Sequence, residues 1–338
     1  MILVFGAGGF IGSYLIDQLI NEGLEVLAID TSQLAEDYYK EQGIPFLKLD
    51  ITRSTNFANI PGEGAVAAVN LACVQPANVA KEKYNPIDYV KVNVIGVLNI
   101  LEFCRRNGIR KVTHVISHRN TQGLWEHGQP ICEDAPRAIK YTGEYAMFSI
   151  SESAAADCVE HYSQEYGMQG IVFRLPPVYG YGPHMEIFRN GKPIKTGFQI
   201  FVENAMAGQA LEVWGDPDRG RDIIYVKDVV SAIVLALRSD SARGLYNIAS
   251  GKSLYLREEA EGIVRAFSPA DYPSKITYRP EKPNSIEPFL YDISKAKRDL
   301  GWHPKYSFQE MLLDYKKEAE RGKFRYLLEK RRRMLESK

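Results

Sequence analysis

The chain has 338 residues, 45% apolar and 25% charged, the composition of an ordinary soluble globular protein long enough for one large α/β domain with a lobe, or for two domains. Lys+Arg and Asp+Glu balance at 42 each, which leaves no global field to attract nucleic acid or a membrane, and no apolar run approaches the roughly 18 residues of a membrane span. Cys73, Cys104, Cys132 and Cys158 show neither C-x-x-C nor zinc-ligand spacing, and no basic secretory leader precedes Met1–Phe5, so the chain reads as a cytoplasmic protein with reduced thiols and no metal site.

Short apolar runs alternate with amphipathic stretches through the first half. Strands are expected at Ile2–Phe5, Glu25–Ile29, Ala65–Leu71 and Val112–Ile116, with helices at Ile11–Asn21 and Asp88–Arg106. A long helix over about Phe148–Tyr166 ends at Gly167, and a strand follows at Gly170–Arg174. Strand-helix alternation of this kind implies a parallel sheet with helices on both faces. After residue 174, Pro176-Pro177, Gly180, Gly182-Pro183 and Gly191-Lys192-Pro193 punctuate a loop-rich region. A helix at Asp228–Leu237 and a strand at Gly244–Ile248 suggest a smaller lobe interleaved with the sheet. From Lys316 to Lys338 the chain carries ten Lys/Arg against four Glu, with Phe324, Leu327, Leu328 and Leu335 as a partial apolar stripe. This tail reads as a solvated terminal helix or as a docking helix for a partner or an anionic surface.

Between the first strand and the first helix lies Gly6-Ala7-Gly8-Gly9-Phe10-Ile11-Gly12, with Gly6, Gly9 and Gly12 spaced G-x-x-G-x-x-G. Residues without Cβ let backbone approach a pyrophosphate, and the helix N-terminus offers N–H groups and a positive dipole to the phosphates. Asp30 ends the second strand, where a carboxylate accepts both hydroxyls of an adenosine ribose and repels a 2′-phosphate. Thr31-Ser32 supply no offsetting cation, so the site favours NAD over NADP. The plainer role for Asp30 is to cap its own turn. The fold expected is a Rossmann-type, doubly wound α/β parallel sheet over residues 1–174, an interleaved C-terminal substrate lobe over 175–315, and the helical tail over 316–338.

Several further motifs occur in order. Asp50-Ile51, Asn70-Leu71-Ala72-Cys73, Asn93 in Val92–Gly96, Arg174-Leu-Pro-Pro-Val-Tyr-Gly180, Arg221-Asp222-Ile-Ile-Tyr225-Val226 and Asp292-Ile-Ser-Lys-Ala296 before Leu300-Gly301-Trp302 together resemble the extended short-chain dehydrogenase/reductase family, the group of nucleotide-sugar epimerases and dehydratases. The resemblance covers roughly residues 1–315. It implies adenine contacts at Asp50 and Ile51, cofactor contacts at Leu71, Ala72, Asn93, Ser117 and Pro176, and diphosphate contacts at Arg221 and Arg279. Pro177 departs from the family pattern, which has Asn there. A homodimer is implied through the helices at 88–106 and 148–166.

The family's proton chemistry uses a Ser/Thr after the fifth strand and Tyr-x-x-x-Lys on the next helix. Counted against the neighbouring motifs, those positions hold His118, Phe148 and Glu152. Phe has no proton to exchange, and Glu raises a neighbouring phenol's pKa where Lys lowers it. A register slip brings Tyr145 into the Tyr position but still provides no Lys. One reading is a rebuilt site: His118 as general base or acid near neutral pH, Glu152 holding ribose hydroxyls or pairing with His118, and Tyr145 donating a proton. The other is a domain that has lost hydride transfer and acts as an NAD-dependent regulator or scaffold. A nucleic-acid role rests on the basic tail alone and is the weakest reading.

Overall fold

A computed structural model of the protein describes residues 1–79, 83–182, 186–189, 192–284 and 286–336, the side chain of Leu335 excepted. Pro183 and Gly191, two of the turn residues singled out above, and the Leu335 side chain lie outside the described residues. In the first half the apolar runs form β1 (Ile2–Phe5), β2 (Val26–Asp30), β3 (Phe46–Lys48), β4 (Ala67–Asn70), β5 (Lys111–Ser117) and β6 (Gln169–Leu175). Between them run α1 (Phe10–Asn21), α2 (Gln33–Glu41), α3 (Pro86–Val90), α4 (Val97–Arg106) and α5 (Ala146–Tyr166). The rest contributes β7 (Val178–Tyr179), β8 (Glu186–Arg189), β9 (Lys192–Lys195), α6 (Gly197–Met206), β10 (Leu211–Trp214), β11 (Gly220–Asp222), β12 (Ile224–Tyr225) and α7 (Val226–Arg238). Then follow β13 (Gly244–Asn247), β14 (Ser253–Tyr255), α8 (Leu256–Phe267), β15 (Ile276–Arg279), α9 (Ser294–Leu300), α10 (Phe308–Arg321) and α11 (Arg325–Glu336).

Seven strands form one parallel sheet in the order β13-β6-β5-β4-β1-β2-β3. Successive strand residues point to opposite faces, and both faces are covered. Ile2 and Val4 pack with Leu15 of α1 and Ile233 of α7, while Leu3 and Phe5 pack with Leu101 of α4 and Val159 of α5. Each such side chain, withdrawn from water, contributes roughly 1.5–3 kcal/mol. The order reverses at β1 and β4, and ligands of such sheets bind in the crevice beyond the strand ends at that point. Asn70 of β4 sits opposite His114, whereas β5 and β6 continue paired to Ser117 and Leu175. The extra residues carry the β5 and β6 ends past the sheet edge.

β13 pairs with β6, and α7 covers the β1 face although both follow residue 174. The helix expected over Asp88–Arg106 is present as one uninterrupted helical run from Pro86 to Arg106. Within it a π-helical turn at Lys91–Gly96 joins α3 to α4. There Asn93 turns inward, donating to the Val74 carbonyl at 3.0 Å and accepting the Val74 N–H at 2.7 Å. The tail is helical but not solvated all round, since Phe324 and Leu327 are buried. Among the described residues no helix is long and apolar enough to cross a membrane.

Candidate active site

A cleft of about 1540 Å³ opens beyond the strand ends and extends from the glycine turn into the lobe. Gly6, Gly9, Phe10, Ile11, Gly12, Asp30, Asp50, Ile51, Leu71, Ala72, Ser117, His118, Phe148, Glu152, Pro176 and Arg221 all line it. Residues far apart in sequence therefore meet because β1, β2, β4, β5 and β6 all end on this side.

The glycine turn is shaped for close backbone approach. Gly6 has φ +78°, and a Cβ there would lie 2.6 Å from the Ala72 nitrogen. A Cβ on Gly12 would lie 2.3 Å from the Gly6 carbonyl oxygen. Gly9 caps α1 without any side-chain hydrogen bond, so no capping side chain takes up the first N–H groups of the helix. Asp30 takes the plainer of its two foreseen roles and is also placed toward the cleft. Its carboxylate caps the turn by accepting the Gly8 and Ser32 N–H groups, each at 2.9 Å, and it also faces the cleft. This cradle fits a dinucleotide pyrophosphate with an adenosine ribose beside it.

The centre of the cleft is formed by the β5 overhang and one face of α5. Phe148 and Glu152, one helical turn apart, both line it. Glu152 is buried, and its Oε2 accepts the Ser117 N–H at 3.0 Å while Oε1 is buried without a partner. Burial pushes its pKa up to about 8, against the lowering effect of the Ser117 N–H. The carboxyl is therefore largely neutral at neutral pH.

His118 is stacked on Trp125 at 5.2 Å and on Phe289 at 5.1 Å. Its Nδ1 lies 3.1 Å from the Leu175 carbonyl oxygen, an atom that only accepts, so Nδ1 carries the hydrogen and Nε2 the lone pair. Burial, then the Arg119 and Arg221 charges, hold its pKa well below the usual 6.5. Two expectations are corrected here. His118 does not titrate near neutrality, and Glu152 does not pair with it, because Glu152 engages Ser117 and His118 engages Leu175. A third correction concerns Tyr145. It is absent from the cleft lining, and its ring lies under the Arg119 guanidinium, 3.8 Å from the ring centroid. Burial raises its pKa further.

Asn93 also differs from expectation. It is buried behind the cleft, holding Val74 and donating to Ser151 at 3.0 Å, and so positions the lining loop instead of facing a ligand. In the lobe, Arg221 reaches the Tyr179 hydroxyl at 3.4 Å, and that hydroxyl donates to Glu259 at 3.4 Å. Arg279 does not line the cleft. It projects from β15 toward Glu212 of the paired strand β10, at 3.4 Å. Of the two arginines singled out together, Arg221 is thus in the lining, and Arg279 stands behind Glu212, which itself lines the cleft.

Some lining residues carried no signal in the sequence, among them Arg189, Trp214 and Glu259. Leu327, Lys330, Arg331 and Met334 of α11 also line the cleft. The basic run drew attention to that segment but not to its destination.

Comparison with known proteins agrees with this geometry. The model of the NAD dependent epimerase/dehydratase family matches residues 2–249. UDP-glucuronic acid decarboxylase 6 of Arabidopsis thaliana is 30% identical over 325 residues, covering 92% of this chain and 86% of the relative. UDP-glucose 4-epimerase of Mycolicibacterium smegmatis is 27% identical over 313 residues, covering 91% and 95%. The structure of Thermus thermophilus UDP-glucose 4-epimerase in complex with NAD superposes with a TM-score of 0.74 at 26% identity, covering 96% of this chain and 98% of that one. A seven-stranded doubly wound sheet, a glycine cradle at its reversal point and a family match across most of the sequence lead to one conclusion: this chain belongs to the NAD-dependent epimerase/dehydratase family.

Proposed function

We propose that the chain holds NAD and a nucleotide sugar in one cleft and acts as an epimerase- or dehydratase-like enzyme whose proton-transfer group is Glu152. The observation that carries this reading is continuity. The glycine cradle, the Ser117–His118–Glu152 group and Arg221 line a single space. The amides of Gly9 through Gly12 and the α1 dipole would hold the pyrophosphate, with Gly6 allowing its approach. Asp30 would take the adenosine ribose, Asp50 and Ile51 the adenine, and Leu71, Ala72, Ser117 and Pro176 the nicotinamide end. NAD, when bound, supplies hydride acceptance and return.

The chain's own residues supply the remainder. With Oε2 of Glu152 occupied as an acceptor, the proton of the neutral acid resides on Oε1, and a turn of the side chain out of its buried position would present it to a ligand oxygen. An acid of pKa about 8 both gives and takes a proton near neutral pH. The Nε2 lone pair of His118 accepts from a sugar hydroxyl. Phe148 keeps that part of the wall apolar, and Arg221 grips the diphosphate through its planar fork. Arg279, engaged with Glu212, has no assigned ligand contact. The exposed Ile87, Val90 and Ile95 support a homodimer through this helical face, which light scattering would measure.

The relatives' names make UDP-sugars the first ligands to try. A melting-temperature scan of UDP-sugars with saturating NAD identifies the ligand by mass action, and product analysis follows. Glu152→Gln should lower kcat by roughly 10²–10⁴-fold. Turnover equal to the parent's would remove Glu152 from the chemistry. Sugar binding without any turnover in the parent chain would favour an NAD-dependent regulator.

A further inference from the structure

The helix α11 is built into the cleft. α10 stops at Gly322 with φ +60°, and Phe324 takes φ +62°, a conformation that L side chains rarely adopt. Burial offsets that strain, because the Phe324 ring packs on Tyr14 at 4.8 Å and is 3% exposed. The reversed chain is then anchored to the two helices beside the glycine turn. Tyr326 stacks on Tyr38 at 4.4 Å, and its hydroxyl hydrogen-bonds Ser13 of α1. Lys323 pairs with Asp17 of α1, and Leu327 is 1% exposed.

From this anchorage α11 crosses the cleft. The Lys330 ammonium donates to the Gly8 carbonyl at 3.2 Å and lies 3.9 Å from the Asp30 carboxylate. Arg331, 5% exposed, donates to the Ala77 carbonyl at 2.9 Å, to Asn78 Oδ1 at 3.1 Å and to the Glu186 carbonyl at 2.7 Å. Those partners belong to the turn after β4 and to β8, so this one side chain ties α11 to the far side of the opening. The adjacent Arg332 and Arg333 pair instead with Glu329 on the helix's own surface. The basic run is thus sorted, with two cations on the cleft and two on the solvent side.

We propose that α11 is the third wall of the dinucleotide site, with Lys330 supplying a cation to the pyrophosphate–ribose portion and Arg331 latching the helix so that cofactor exchange requires it to open. A phosphate-bearing ligand on the glycine turn adds negative charge next to a cation already held there by Gly8 and Asp30. The inference rests on the reading of the cleft as an NAD site, and its test separates the two.

The test uses the full chain and follows NADH binding by fluorescence and NADH release by stopped-flow displacement with excess NAD. Lys330→Ala should weaken NADH binding roughly tenfold, as expected for loss of a charge-assisted contact, while Lys330→Arg keeps it. Arg331→Ala should release NADH at least about tenfold faster, the effect appearing in the off-rate. Melting curves without NADH show whether each variant is folded. Should Arg331→Ala fail to fold, the Lys330 pair and amide exchange of the parent chain carry the test, since exchange over 325–334 should slow when NAD binds. If the parent chain takes up NADH, and the folded variants bind and release it as the parent does, the α11 inference is overturned. If the parent takes up none, the cofactor reading falls with it.

Discussion

At Glu152 burial lifts the carboxyl to about 8 from an ordinary value of 4.5. The native state then retains a proton that the unfolded chain has released throughout the interval between those values. The resulting stability is complete below pH 4.5, declines as pH rises, and is lost through pH 8, with a slope of up to about 1.4 kcal/mol per pH unit. Glu152→Gln removes this dependence while keeping an acceptor for the Ser117 N–H. The variant should be more stable than the parent by about 2–4 kcal/mol at pH 7.5, and the gap should close toward pH 4.5. Asp222, raised to about 7, and Asp228, raised to about 6, titrate in the same interval, so the quantity to read is the difference between the two denaturation curves. Parallel curves would show that Glu152 is ionised in the native state. A second residue-scale expectation concerns the cradle. Gly12→Ala places a methyl 2.3 Å from the Gly6 carbonyl, so NAD affinity should fall at least about tenfold, a loss that calorimetry would read directly.

Elements differ in how readily the sequence reveals them. β1, β2, β4, β5 and β6 were legible because a strand buried on both faces is a short apolar run between breakers, and α5 because Gly167 ends it in a left-handed conformation. β3 was not, since three residues at the sheet edge with partly exposed side chains carry little pattern. The π-helical turn between α3 and α4 was also hidden. Its cause is tertiary, the bonds from Asn93 to Val74, and periodicity records only the helical trend on either side. At the site, the glycine turn, Asp30 and the Phe148–Glu152 pair could be read because local spacing fixes them. The courses of Tyr145 and Arg279 could not, because each is decided by a distant partner, Arg119 in one case and Glu212 in the other. The same holds for α11, whose seat is made by Tyr14, Tyr38 and Ser13 at the opposite end of the chain. Asn93→Ala should cost about 1–3 kcal/mol by leaving the Val74 peptide unsatisfied, and urea denaturation would measure it. It should also weaken NAD binding, because Val74 sits in the lining.

For the molecule as a whole, one cleft joins the first strand turn to the lobe and to the last helix, so cofactor, ligand and tail are coupled through shared walls. Arg221→Ala should weaken UDP binding to the NAD-loaded chain by roughly ten- to a hundredfold, the cost of a charged hydrogen-bond donor, with NAD binding unaffected. Equal affinities would move the diphosphate away from Arg221. All of this depends on a dinucleotide lying along the amides of the glycine turn. The most direct measurement is calorimetric titration of NAD into cofactor-stripped protein. One equivalent bound with micromolar or tighter affinity, about −8 kcal/mol, is the result expected; no heat of binding at millimolar NAD would contradict the account.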